Sequence, residues 1–144
     1  MPISESNHDI ARMLEIIVLH SPVGVIIGNL QKDRSLLTPG DAKKIENLKG
    51  SLSGKPTYNR SNELISLTYK HFGKRLVIIG CGGVFNAEDA FEKISRGASL
   101  VQLITGLIFE GPQLISEINR NLALKLKENG FKNISQAIGQ ASRS

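Results

Sequence analysis

The stretch LVIIGCGGVFNAEDAFEKISRGASLVQLITGLIF (residues 76–109) has the pattern of two consecutive strand–turn–helix units. Apolar, β-branched residues predict a strand over 76–79, and SLVQL predicts another over 99–103. Between these strands, Asn86 is placed to cap a helix that ends near Gly97. Strands that alternate with helices in this way predict a parallel α/β sheet.

Turns follow the two strands where ligands bind in such proteins. The first turn is Gly80-Cys81-Gly82-Gly83, and one unit later Ile104-Thr105-Gly106 opens a helical turn over 105–109. Parallel α/β proteins bind ligands at the carboxyl ends of their strands, often a phosphate at the start of a short helix. Two such turns in succession indicate a phosphate site, whereas each glycine turn alone is also explained by steric need.

The rest of the chain extends the order of elements to α-β-α-β-α-β-α. The further predictions are a helix over 8–20 capped by Ser6 or Asn7, a strand over 23–27 buried on both faces, a short helix over 38–45, a helix from a Ser61 cap through Phe72 with Gly73 as a left-handed terminator, a helix from Pro112 through Glu128, and a last short helix capped by Asn133 or Ser135. The long segment 29–61 ends in KGSLSGKPTYNRS, whose composition suits a backbone that approaches a ligand closely.

A sheet of three parallel strands leaves two edges unpaired. A complete (β/α)8 barrel needs about 250 residues, and this chain has 144. The sequence therefore predicts one domain over 1–144 that is either a small open-sheet domain or part of something larger.

Composition favours a soluble globular protein, with 40% hydrophobic and 22% charged residues. The single cysteine, Cys81, forms no intramolecular disulfide, which favours the cytoplasm. No apolar run approaches the roughly 20 residues of a membrane span, and the first residues lack the pattern of a signal peptide.

The net charge of +5 raises the question of a nucleic-acid partner. Its basic residues are dispersed among acidic ones instead of forming one patch, so we predict solvated helix surfaces and no nucleic acid. The three basic groups are Lys43, Lys44 and Lys49; Lys70, Lys74 and Arg75; and Lys125, Lys127 and Lys132.

Catalytic side chains are not evident from the sequence. The histidines at 8, 20 and 71 are predicted at helix surfaces and ends, Cys81 is interpreted as structural, and no metal-binding spacing occurs. Asn29, just past a buried strand, suits either a contact to a planar polar ligand or a turn.

Several motifs resemble the C-terminal part of dihydroorotate dehydrogenase, in its quinone-linked class 2. They are LSGKP (52–56), IIGCGGV (78–84), DAFEKISRGASLVQL (89–103), TGLIFEGPQLI (105–115) and the closing GF…AIG. The resemblance implies the C-terminal portion of a (β/α)8 TIM barrel that binds FMN, oxidises dihydroorotate to orotate in pyrimidine synthesis, and passes electrons to quinone.

The resemblance also assigns site residues. It places FMN against Gly28, Gly54, Gly82 and Gly83, the FMN phosphate at Ile104 and Thr105, and the substrate at Asn29 and Leu30. The family usually has Thr-Asn-Thr where this chain has Gly28-Asn29-Leu30, so a hydroxyl is missing on each side of the asparagine.

The family's N-terminal half supplies the serine base, a lysine that contacts FMN, most orotate ligands and the membrane-associated helices at the quinone entrance. Ser51 and Ser53 do not occupy the base position. We therefore expect catalysis only when those parts come from another chain or a longer protein. The alternatives are another phosphate-binding barrel enzyme, a non-catalytic FMN- or phosphate-binding half-barrel, and a partner-binding module.

Overall fold

Three strands form one parallel sheet in the computed structural model, which describes residues 1–142. The strands are β1 (Gly24–Ile27), β2 (Val77–Cys81) and β3 (Leu100–Gln102), and they lie side by side in that order. Both strand pairs are parallel. The predicted α/β class is confirmed.

Seven α-helices accompany the strands within residues 1–142. They are α1 (Asn7–Leu19), α2 (Pro39–Lys44), α3 (Tyr58–Phe72), α4 (Ala87–Arg96), α5 (Thr105–Glu110), α6 (Gln113–Glu128) and α7 (Ile134–Ala137), with single 3-10 turns at Lys55–Thr57 and Gln140–Ser142. Four of them are capped by the side chains of Ser6, Thr38, Asn86 and Asn133. The first helix is therefore capped by Ser6 and not Asn7, and the last by Asn133 and not Ser135. None of the helices in this part of the chain is long and apolar enough to cross a membrane.

Tertiary contacts shift several predicted boundaries. Strand β2 continues to Cys81 because β3 pairs with it there. Helix α3 begins at Tyr58, so the predicted Ser61 cap is wrong: Ser61 is buried inside the helix and its hydroxyl donates to the Cys81 carbonyl. Gly73 has a φ of −60°, so the predicted left-handed terminator is wrong as well.

The main core lies between one face of the sheet and helices α1 and α3. Buried apolar side chains alternate along the strands, as expected for a sheet covered on one side. The cluster comprises Ile3, Ile10, Leu14, Val25, Ile27, Leu64, Ile65, Phe72, Leu76, Ile78 and Ala98. A smaller cluster of Val84, Ala90, Leu114 and Ile118 joins α4 to α6.

The opposite face of the sheet is apolar and open. Ile26 is 45% exposed and Leu100 58% exposed, and the strand register places both beside Ile79 in one row across the sheet. The prediction that the first strand is buried on both faces is therefore wrong. Val25 and Ile27 face the helices, and Ile26 points the other way.

The long connection after β1 is held by specific hydrogen bonds. Backbone groups of Gln31 and Leu52 pair in both directions, at 2.8 and 2.7 Å. The Arg34 guanidinium donates to three backbone carbonyls within residues 45–50. These bonds return the chain to the carboxyl end of the sheet, where residues 53–57 reach the site.

Candidate functional site

A cavity of about 140 Å³ opens at the carboxyl ends of the three strands. It brings together residues from the ends of β1 and β2, the loop before α3, and the start of α5. All eight predicted site residues line it: Gly28, Asn29, Leu30, Gly54, Gly82, Gly83, Ile104 and Thr105. Its remaining walls are Ser53, Thr57, Cys81, Val84, Leu103 and Gly106.

The glycine pair after β2 is required by the backbone itself. Gly82 and Gly83 have φ values of +99° and +74°, which residues other than glycine rarely adopt. A Cβ at Gly82 would lie 2.4 Å from the Thr57 hydroxyl oxygen, and one at Gly83 would lie 2.6 Å from the Tyr58 Cβ. The steric explanation of this turn is therefore correct whatever the cavity binds, and the case for a phosphate depends on the chemistry of its walls.

The start of α5 offers hydrogen-bond donors to the cavity. Ile104 occupies the N-cap position, and no side chain within residues 1–142 caps this helix. The amides of a first helical turn have no partner within the helix, and the helix dipole favours an anion there. The Thr105 hydroxyl donates to Ser53 Oγ at 3.1 Å and so joins α5 to the loop before α3.

An ion pair joins the loop before α3 to helix α4. The Lys55 ammonium lies 2.8 Å from the Asp89 carboxylate and 5.0 Å from the centroid of the Phe85 ring. Asp89 also accepts the Phe85 amide at 2.9 Å. On the other side of the loop, Gly54 approaches Thr105 so closely that a Cβ would lie 2.9 Å from its methyl group.

A buried lysine lies beneath the turn after β2. The Lys93 side chain is 0% exposed, and its Nζ donates to Ser61 Oγ at 3.0 Å and to Asn62 Oδ1 at 2.9 Å. Burial lowers the pKa of Lys93 to about 8. The sequence pattern does not indicate a role for Lys93, although its spacing from Ala90 places it on the apolar side of α4.

The possible proton-transfer groups are poorly suited to catalysis. Burial raises the pKa of the Cys81 thiol, so it remains protonated at neutral pH. His8, His20 and His71 are exposed and do not line the cavity, as predicted. Within residues 1–142, no group of three or more His, Cys, Asp or Glu side chains is placed to hold a metal ion.

The walls of the cavity suit an anion. They contain backbone amides and three hydroxyls. Those of Thr57 and Thr105 donate to Gly54 O and Ser53 Oγ, so among the described lining residues the Ser53 hydroxyl is the one left to donate to a ligand. The described lining includes no carboxylate. Ligand pockets usually measure roughly 300–1,000 Å³. A cavity of about 140 Å³ therefore accommodates one end of a nucleotide-sized ligand. Asn29 and Leu30 lie exposed at its rim.

Known proteins with similar sequences belong to the family that the motifs resemble. A model of the family described as dihydroorotate dehydrogenase matches residues 3–126. A protein of Trichodesmium erythraeum named dihydroorotate dehydrogenase (quinone) is 39% identical over 95% of this chain, and one of Rippkaea orientalis with the same name is 42% identical over 90%. The matches cover 37% and 36% of those proteins.

Comparison with solved structures extends to the whole chain. The crystal structure of a dihydroorotate dehydrogenase from Eimeria tenella in complex with ferulenol aligns with a TM-score of 0.88 at 26% identity. The ligand-free enzyme of the same organism aligns with a TM-score of 0.86 at 25% identity. All of this chain is covered, together with 37% and 39% of those chains, so the three strands correspond to part of a larger barrel.

Proposed function

This chain belongs to the dihydroorotate dehydrogenase family, and from that premise we propose that it forms part of a flavoenzyme that oxidises dihydroorotate to orotate with quinone as electron acceptor. Because the chain spans little more than a third of the length of its relatives, the reaction is proposed for the completed barrel. The contribution of the 144 residues is to bind the cofactor and to line one side of the substrate site.

The convergence of the eight predicted residues on one cavity carries this proposal. We propose that Gly28, Gly54, Gly82 and Gly83 contact FMN, and that Ile104 and Thr105 bind its phosphate. The amides at the start of α5 and the Ser53 hydroxyl, which accepts from Thr105 and keeps its own proton, supply donors, and the lining brings no carboxylate to repel a dianion. FMN, when bound, accepts the hydride that dihydroorotate loses.

The substrate side of the site is proposed at Asn29 and Leu30. The Asn29 amide both donates and accepts hydrogen bonds, which suits the ring of orotate. Gly28 and Leu30 bring no hydroxyl to this rim, so the remaining polar contacts to substrate must come from the other part of the barrel.

A non-catalytic, FMN-binding role for the chain by itself is the second candidate. It is favoured by the small cavity and by a lining in which Cys81 is the one thiol and no histidine or carboxylate occurs among the described residues. Both candidate functions require FMN. They differ in whether the completed barrel oxidises dihydroorotate.

Flavin titration tests the cofactor, and a dye-linked assay tests turnover. We expect the full chain to bind FMN at least about tenfold more tightly than riboflavin, which lacks the phosphate. A colourless protein that cannot be reconstituted with FMN would contradict the proposal.

With dihydroorotate and a dye acceptor, we expect no turnover from the chain alone and turnover once the remaining part of a related barrel is added. Turnover by the 144-residue chain alone would disprove the assignment of the base to that remaining part.

A further inference from the structure

Lys93 is a buried cation with neutral hydrogen-bond partners. Its ammonium donates to the Ser61 hydroxyl and to the Asn62 side-chain carbonyl, and it lies 5.4 Å from the centroid of the Tyr58 ring. Removing a charge from water is costly unless an opposite charge compensates it. The contacts of this lysine therefore leave its charge incompletely compensated.

The acidic side chains that act on Lys93 are already paired with other cations. Asp89 lies 2.8 Å from the Lys55 ammonium, and Glu92 lies 2.6 Å from the Arg96 guanidinium. An anion bound near Lys93 would supply the missing compensation. The adjacent cavity has a lining suited to an anion.

Lys93 is linked to that cavity through one hydroxyl. Ser61 Oγ accepts from the Lys93 ammonium and donates to the Cys81 carbonyl, at the residue that precedes Gly82 and Gly83. The lysine stem also packs beneath the end of β2, where a Cβ added to Gly80 would lie 3.1 Å from Lys93 Cδ. The ammonium, the Ser61 hydroxyl and the Cys81 carbonyl therefore form one chain of hydrogen bonds that ends at the turn lining the cavity.

We propose that Lys93 is a positioning residue of the phosphate site: through Ser61 it fixes the turn after β2, and its buried charge favours the phosphate of FMN over an uncharged group. The inference rests on the proposed function, because it requires that this chain binds FMN. It explains why a helix face shared with Ala90 and Ile94 carries a lysine.

The Lys93→Met substitution tests this proposal, because methionine keeps an unbranched apolar stem and removes the charge. Lys127→Met removes an exposed lysine from α6 and is the matched control for net charge. Dissociation constants for FMN and for riboflavin are measured with the full chain at pH 7 by flavin fluorescence. The free energy of unfolding is measured by urea denaturation without flavin.

We expect Lys93→Met to weaken FMN binding about tenfold or more while riboflavin binding changes less than about twofold. The free energy of unfolding is compared separately, because the substitution removes a costly buried charge but also leaves Asn62 Oδ1 without its donor. Lys127→Met should change neither property. Unchanged FMN binding, or an equal loss for both flavins, would overturn the proposal. If the unsubstituted chain binds neither flavin, the proposed function itself is wrong.

Ser61→Ala provides a second test, which applies also if Lys93→Met does not fold. This change keeps the ammonium and removes its link to the Cys81 carbonyl. We expect FMN binding to weaken several-fold with riboflavin binding unchanged. FMN binding at the unsubstituted level would show that the link does not position the turn.

Discussion

At the scale of the residue, Gly82 is required by the backbone conformation and also lies beside the proposed phosphate site. The positive φ of Gly82 and the approach of Thr57 explain the glycine without any ligand. What favours a phosphate is the set of donors around the cavity and the cation beneath it. The sequence pattern located the turn correctly, yet it did not indicate Lys93 or Ser61, because their roles arise from contacts between α3, α4 and β2.

The buried Lys93 makes stability depend on pH in a defined direction. Its pKa is lowered to about 8 in the folded chain, whereas an unfolded lysine has a pKa near 10.4. Between these values the unfolded chain holds a proton that the folded chain has released, so the lysine's contribution to the free energy of unfolding rises with pH. The rise should be on the order of 2–3 kcal/mol.

The measurement is urea denaturation from pH 7.5 to 10.5 in buffer free of phosphate. Cys81, Asp89, Glu92 and Arg96 act electrostatically on Lys93, and the centroid of the Tyr58 ring lies 5.4 Å from its ammonium. The informative quantity is therefore the difference between the unsubstituted chain and Lys93→Met. A difference that does not change with pH would show that the ammonium is not perturbed by burial.

At the scale of the element, local chemistry predicted helix starts well where a side chain caps the helix. Asn86 and Thr38 cap as expected, because an N-cap hydrogen bond joins residues only three apart. The start of α3 was predicted wrongly, because the helix continues directly from the 3-10 turn at Lys55–Thr57 and no side chain caps it. Where the boundary of a helix or strand depends on contacts with distant residues, the local sequence does not predict it.

Asn86→Ala should destabilise the chain by about 1 kcal/mol through loss of the α4 cap. Asn86 Oδ1 accepts the Asp89 amide at 2.8 Å, and Asp89 in turn holds Lys55. The free energy of unfolding from urea denaturation measures the loss. Asn121→Ala, at an exposed position inside α6, is the control and should be neutral or slightly stabilising. Equal effects of the two substitutions would show that the cap contributes nothing specific.

At the scale of the whole molecule, the sequence predicted the parallel order and the unpaired edges of the sheet. It did not predict that one face would be open, because the apolar run of β1 has the composition of a strand buried on both sides. The alternation appears only when the helices occupy one face: Val25 is 8% exposed, and Ile26 beside it is 45% exposed.

The open row of Ile26, Ile79 and Leu100 should bind an apolar dye in the isolated chain, because exposed apolar surface of this kind is what such dyes detect. Replacing Ile26 and Leu100 together by Gln should lower the fluorescence of 1-anilinonaphthalene-8-sulfonate severalfold without reducing helix content measured by circular dichroism. Ile16→Gln with Leu19→Gln, on the exposed side of α1, is the matched control, since these side chains are 58% and 81% exposed but belong to no sheet face. Equal dye binding by the two double variants would show that the sheet face is not the exposed apolar surface that matters. A selective loss would identify it as the surface that a completed barrel must cover.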